Sequence, residues 1–108
     1  MKDAFNRLNK VFESKVRLGI MSLLMINEWI SYNELKKALS PNWPKQKISD
    51  GNLASHIKKL RNEEYLDERK EFLNRKPHTS YKATKKGSKA FEDHLSALEE
   101  IINMRPKM

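Results

Sequence analysis

Apolar residues in this chain keep helical spacing as far as Leu60, turn extended at Tyr65, and resume helical spacing only after Thr84. One short extended excursion inside an otherwise helical chain predicts a mainly α fold with a small β-hairpin. Phe5, Leu8 and Phe12 suggest a short amphipathic N-terminal helix. Ser14 then caps a helix to about Asn27, whose dense apolar positions Val16, Ile20, Leu23, Leu24 and Ile26 place it in the core. Met21 and Met25 read as core filler. Trp29-Ile30 is a short extended piece, and Ser31-Tyr32-Asn33-Glu34 has the capping-box pattern for a helix carrying Leu35, Ala38 and Leu39. Ser40-Pro41 ends it, and residues 40–48, with two prolines, form a loop in which Trp43 is either packed or exposed.

Ser49 or Asp50 caps the next helix, about residues 50–63, with Leu53, Ile57 and Leu60 facing inward. The extended stretch 65–73 follows, then a polar turn, Asn74-Arg75-Lys76-Pro77-His78, and a returning strand from Thr79 to Ala83. Thr84 caps a last helix to about Asn103, ~30 Å long, with Phe91, Leu95, Leu98 and Ile102 in an apolar stripe. A helix that long on so small a core leaves part of its stripe exposed unless it pairs. A two-fold dimer through Phe91, Leu95, Leu98 and Ile102, joined by residues 1–13, is the expected solution.

At 108 residues the chain is a single domain, 1–108. Its 22 Lys and Arg against 14 Asp and Glu give a net charge of +8. The excess is concentrated: residues 45–89 carry thirteen basic side chains and six acidic ones, whereas residues 90–108 carry two and four. Such a segment next to an acidic helix points to a phosphate-binding face more than to general solubility. The absence of cysteine removes disulfides, Cys-ligated zinc, iron–sulfur clusters and thiol nucleophiles. No apolar run approaches the ~18–20 residues that cross a bilayer, and the N-terminus lacks a signal-peptide core, so a soluble cytoplasmic protein is expected.

With Leu53, Ile57 and Leu60 turned inward, the opposite face of the 50–63 helix presents Asn52, Ser55, Lys58 and Lys59, with His56 at its edge. Small and amide side chains allow close approach to a major-groove floor, lysines reach phosphates, and Asn52 is the candidate for bidentate adenine contact. Arg75, Lys76 and His78 at the hairpin turn suit flanking backbone or minor groove. His56, His78 and His94 lie on separate elements with no helical pairing, which gives no metal site. His94, on the apolar side of the last helix, is expected to pack at an interface. Isolated glycines exclude a phosphate loop, and adjacent Glu63-Glu64 and Glu99-Glu100 diverge, so no catalytic group or cofactor is implied.

Three segments carry a resemblance. Gly51-Asn52-Leu53-Ala54-Ser55-His56-Ile57-Lys58-Lys59-Leu60, with Tyr65-Leu66 after it, resembles the recognition helix of small winged helix-turn-helix regulators. Arg75-Lys76-Pro77-His78-Thr79-Ser80-Tyr81, then Ala83-Thr84-Lys85-Lys86-Gly87, resembles their wing, and Val16-Arg17-Leu18-Gly19-Ile20 the start of their first core helix. Over residues 14–103 the chain is similar to MarR- and ArsR-like transcriptional regulators. The resemblance implies a winged helix-turn-helix core at 14–83, added N- and C-terminal helices, double-stranded DNA as partner, a homodimer, and repression by blocking polymerase. It names no small-molecule effector. Two departures stand out: a long 40–48 loop, and Glu64 where the pattern has glycine before Tyr65. The alternative is a winged-helix module that docks other proteins, which would carry an apolar recognition face.

Overall fold

The computed structural model describes residues 2–103. Met1 and residues 104–108, with the Arg105 and Lys107 counted above, lie outside the described residues. The elements run α1 (Lys2–Asn6), a 3-10 turn (Lys10–Glu13), α2 (Lys15–Ile26), β1 (Ile30–Ser31), α3 (Tyr32–Leu39), α4 (Asp50–Asn62), β2 (Leu66–Leu73), β3 (Lys76–Ala83) and α5 (Lys85–Asn103). The strands form one antiparallel sheet in the order β1-β3-β2, so the helix pair α3–α4 is followed by a hairpin whose inner strand also pairs with β1. This is the mainly helical, winged arrangement that the change of period implies.

Local chemistry sets the helix starts. Ser14 accepts from the Arg17 N–H at 3.3 Å, and Ser31 and Glu34 close both halves of the capping box at 3.1 and 3.4 Å. Of the two candidates before α4, Ser49 is the cap, accepting from the Asn52 N–H at 3.1 Å. Ile20, Met21, Leu35, Leu53 and Leu60 are fully buried where α2, α3 and α4 meet. Phe12 joins the terminal elements to that core, stacked on Tyr65 at 5.6 Å and edge-on to Phe91 at 5.2 Å.

Three local expectations need correction. The N-terminal segment is not one amphipathic helix: Asn9 interrupts it, its side chain accepting from the Val11 N–H at 3.0 Å, and Ala4, Val11 and Phe12 are buried while Phe5 is 64% exposed. The hairpin turn is only Asn74-Arg75, both at positive φ (50° and 64°), as a type I′ turn requires. Lys76, Pro77 and His78 therefore belong to β3. Pro77 is tolerated there because residues flanking a two-residue turn exchange both hydrogen bonds. The next pair, Phe72 and Pro77, is then non-hydrogen-bonded, and the proline nitrogen faces away from β2. Third, Phe91 does not stand at a free surface: it is 4% exposed and packs inside its own chain.

Glu64 shows what replaces the glycine of the resemblance. It sits at φ 62° just past α4, with the Tyr65 N–H bonded to the Leu60 carbonyl and the Glu64 N–H to the Arg61 carbonyl, both at 2.9 Å. That is a Schellman ending, which favours glycine at this residue. Glu64→Gly is expected to raise stability by about 0.5–1 kcal/mol, read as a Tm increase of a few degrees in thermal unfolding.

Beyond Ser80 and Arg69 the hairpin leaves the core, and most of β2 is exposed. The radius of gyration is 15.9 Å, against roughly 13 Å for a compact domain of this length.

Candidate nucleic-acid interface

The α4 helix divides as its wheel predicts. Leu53, Ile57 and Leu60 are at most 3% exposed, while Asn52, Ser55, Lys58 and Lys59 are all exposed. Among the described residues the Asn52 side chain makes no intrachain hydrogen bond, and Lys58 makes no ion pair. Ser55 donates to the Asn52 carbonyl at 2.9 Å, and Lys59 reaches Glu63 at 3.5 Å along the same helix.

His56 sits differently. It is half-buried, with Nδ1 3.0 Å from Arg17 Nη1, and Arg17 also donates through Nε to the Val11 carbonyl at 2.6 Å. Arginine has only donors, so His56 Nδ1 is the acceptor and stays unprotonated in this contact. Burial first, and the Arg17 charge second, hold its pKa below the ordinary value. Arg17 was legible only as part of a motif; no spacing rule links positions on α2 and α4.

α4 is fixed at both ends. At its start Asp50 accepts from the Tyr32 hydroxyl at 2.6 Å and from Lys36 at 2.9 Å, tying it to α3. These two hydrogen bonds, Tyr32 first, hold the Asp50 carboxyl below its usual pKa, while burial and then Asp50 push the Tyr32 phenol up to about 12. The phenol therefore remains a donor at neutral pH. At the other end Arg61 bonds Glu68 at the base of the wing at 3.0 Å.

In the wing, Arg69 is paired with Glu71 at 2.6 Å, and Lys70 lies 3.9 Å from Glu68. Arg75, Lys76 and His78 make no ion pair among the described residues and are exposed at the tip. Arg75 and Lys76 cluster at the turn, and His78 lies two residues down β3 on the same strand face as Lys76. Sequence reasoning placed Phe72 and Leu73 only within the extended stretch and missed their exposure beside the turn, 73% and 47%. It also missed Trp29, which lies under Arg69 at 4.2 Å and near Lys82 at 5.8 Å, so that it clamps the base of the hairpin.

On α5, Leu95, Leu98 and Ile102 are 44%, 37% and 56% exposed, at spacings of three and four. α1 packs beside them, held by the Arg7–Glu100 ion pair. His94, expected at an interface, is instead 5% exposed within the chain, where Nδ1 accepts the Asn9 N–H at 2.9 Å beside Phe12. Burial lowers its pKa, and the Glu13 charge opposes this more weakly. The unfolded chain therefore takes up the His94 proton near pH 6.5, before the folded chain does. This contribution to stability is complete above that pH and is lost as pH falls through the folded value. Tm should be flat with respect to His94 above about pH 7 and decline below about 6.5. His94→Asn, whose side-chain oxygen takes nearly the place of Nδ1 and can accept the same N–H, should remove that share of the decline in a Tm-against-pH series.

Among the described residues no group of three or more His, Asp or Glu could hold a metal ion, and no helix is long and apolar enough to cross a membrane.

Comparison with known proteins agrees with this fold. A protein of Methanocaldococcus jannaschii of unknown function is 34% identical over 92 residues, covering 85% of this chain and 92% of that protein. A transcriptional regulator homologue of Pyrococcus horikoshii superposes with a TM-score of 0.79 at 26% identity, covering 95% and 96% of the two chains. Bacillus subtilis PadR, solved in complex with operator DNA, shares the fold at 16% identity, with a TM-score of 0.62 over 88% of this chain and 51% of PadR. The family model of the winged helix DNA-binding domain matches residues 16–102, from α2 almost to the end of α5, and the chain belongs to that family.

Proposed function

We propose that the chain is a homodimeric transcriptional repressor that binds duplex DNA sequence-specifically. The observation that carries this reading is the exposed α4 face of amide, hydroxyl and lysine side chains, accompanied by a wing tip whose cations make no ion pair among the described residues. Asn52 and Ser55 meet base edges in the major groove, and Lys58 and Lys59 meet phosphates, with His56 at the edge of the contact. Arg75, Lys76 and His78 lie on flanking backbone or minor groove. A protein-docking module would place apolar side chains on α4, and the large exposed hydrophobics lie on other elements.

Pairing of two α5 stripes sets two α4 helices roughly 34 Å apart and calls for a near-palindromic site. Selection of bound duplexes from a sheared genomic library, at low and at ~200 mM salt, tests the reading. A near-palindromic motif that survives the higher salt is expected; uniform loss of binding across sequences overturns sequence specificity. On the selected site Asn52→Ala should weaken binding by ~1–3 kcal/mol and relax its base preference. Arg75→Ala should weaken all duplexes evenly and flatten the salt dependence. Unchanged affinity in both variants would show that another face is used.

A further inference from the structure

Arg17 belongs to α2, yet its guanidinium is held from outside that helix. Nε donates to the Val11 carbonyl at 2.6 Å, and Nη1 donates to His56 Nδ1 on α4 at 3.0 Å. The first anchor is itself fixed. Val11 is buried, its N–H is bonded to the Asn9 side chain at 3.0 Å, and the Asn9 N–H is bonded to His94 on α5 at 2.9 Å. A planar guanidinium held at two points has little freedom to turn, and it orients the imidazole that accepts from it.

A neutral imidazole carries one ring proton, so with Nδ1 engaged as acceptor that proton stands on Nε2. Burial, and after it the Arg17 charge, disfavours a second proton. Among the described residues no buried side-chain nitrogen or oxygen lacks a hydrogen-bond partner, and Nε2 has none within the chain, so Nε2 reaches solvent. On α4 the neighbours of His56 four residues before and three after are Asn52 and Lys59, both exposed. The Nε2–H thus stands in the row assigned to duplex contact as an uncharged donor of fixed direction. His56 is recessed against α2 while Asn52 and Ser55 are exposed, so the acceptor it meets is the backbone wall of the groove and not its floor.

We propose that Arg17 is a positioning residue for the duplex: by holding His56 Nδ1 as an acceptor it sets the Nε2–H as a neutral donor to a phosphate oxygen beside the Asn52 contact. The proposal rests on the DNA-binding reading. It gives α4 a backbone contact that adds no charge, next to lysines that do.

The test reads the ring nitrogens of His56 by nitrogen NMR in the full chain, and duplex affinity in variants. The His56 signals are those missing from His56→Asn. At about pH 7.5 the free protein should show Nδ1 bare and Nε2 protonated, and the Nε2–H signal should move on adding duplex. A proton on Nδ1, in the other tautomer or in an imidazolium, overturns the assignment. His56→Asn keeps an oxygen near the place of Nδ1 for Arg17 but reaches no further. Its fold should persist, and duplex affinity should fall roughly tenfold, evenly across sequences. The salt dependence should keep its slope, because the lost donor is neutral. A flattened slope would mean a cationic His56, and unchanged affinity would mean a contact that serves folding alone; either result overturns the proposal. Arg17→Lys keeps the charge but cannot span both acceptors, so it should weaken binding too, and the double variant should bind as His56→Asn does. Additive losses, or wild-type affinity in Arg17→Lys, remove Arg17 from this role. A wild type that binds no duplex overturns the DNA reading and this contact together; duplex binding that His56→Asn leaves intact overturns the contact alone.

Discussion

Gly87→Ala is expected to destabilise the protein by about 3 kcal/mol, lowering Tm by more than about 10 °C. A Cβ at Gly87 would stand 2.0 Å from the Tyr65 carbonyl oxygen and 2.8 Å from two further Tyr65 backbone atoms. Backbone cannot swing aside as the end of a long side chain can. The same junction holds the Thr84 N–H on the Tyr65 carbonyl at 3.1 Å and the Thr84 hydroxyl on the Glu64 carbonyl at 2.7 Å. Thr84 also caps α5, accepting from the Gly87 N–H at 2.9 Å. A methyl group there has to break the cap or lift α5 from the exit of α4. Gly51→Ala is the matched control: nothing lies within 4 Å of its Cβ, and alanine in a helix is favoured over glycine by about 0.5–1 kcal/mol. The two variants should move Tm in opposite directions. Equal small shifts in both would show that α5 can slide at this contact.

Leu98→Glu is expected to convert the proposed dimer to monomer in sedimentation experiments and to weaken binding to a palindromic duplex by at least 100-fold, within the ~10²–10⁴ gain that linking two sites supplies. Leu98 is 37% exposed between Leu95 and Ile102, so a charge is solvated in the monomer and buried in the paired state. Folding should persist, because Phe91, His94 and Ala97 supply the inward face of α5. A negative charge would by itself disfavour DNA, so Leu98→Lys belongs beside it. If pairing is what matters, both weaken binding; if only charge matters, the lysine variant binds as well as the wild type or better. A wild-type chain that sediments as a monomer would end the dimer reading.

Much of this fold was legible because each element has a local reason to form. The capping box at Ser31 and Glu34, the cap at Ser14 and the inward triad of α4 depend on residues within one or two turns of one another. The boundaries that shifted had competing local chemistry: Asn9 bonds its own neighbourhood, and an Asn-Arg pair accepts the left-handed turn that glycine usually supplies. The α4 face could be read from period alone. What its residues touch could not, since the His56 contact with Arg17 and the His94 contact with Asn9 join positions far apart in sequence. Phe91 was misplaced for a related reason: a stripe wider than one contact contains both core and surface, and helical spacing does not divide it.

Trp29 gives the molecule an optical gauge of its own. The indole is held between an arginine of one wing strand and a lysine of the other, so its surroundings change whenever the strands shift against β1. The other tryptophan, Trp43, lies in the loop before α4 with Lys47 4.8 Å from its ring. The base of the hairpin and the loop before α4 thus each have one native chromophore beside or within them. Emission from single-tryptophan variants can separate events at the two ends of the helix pair without an added label.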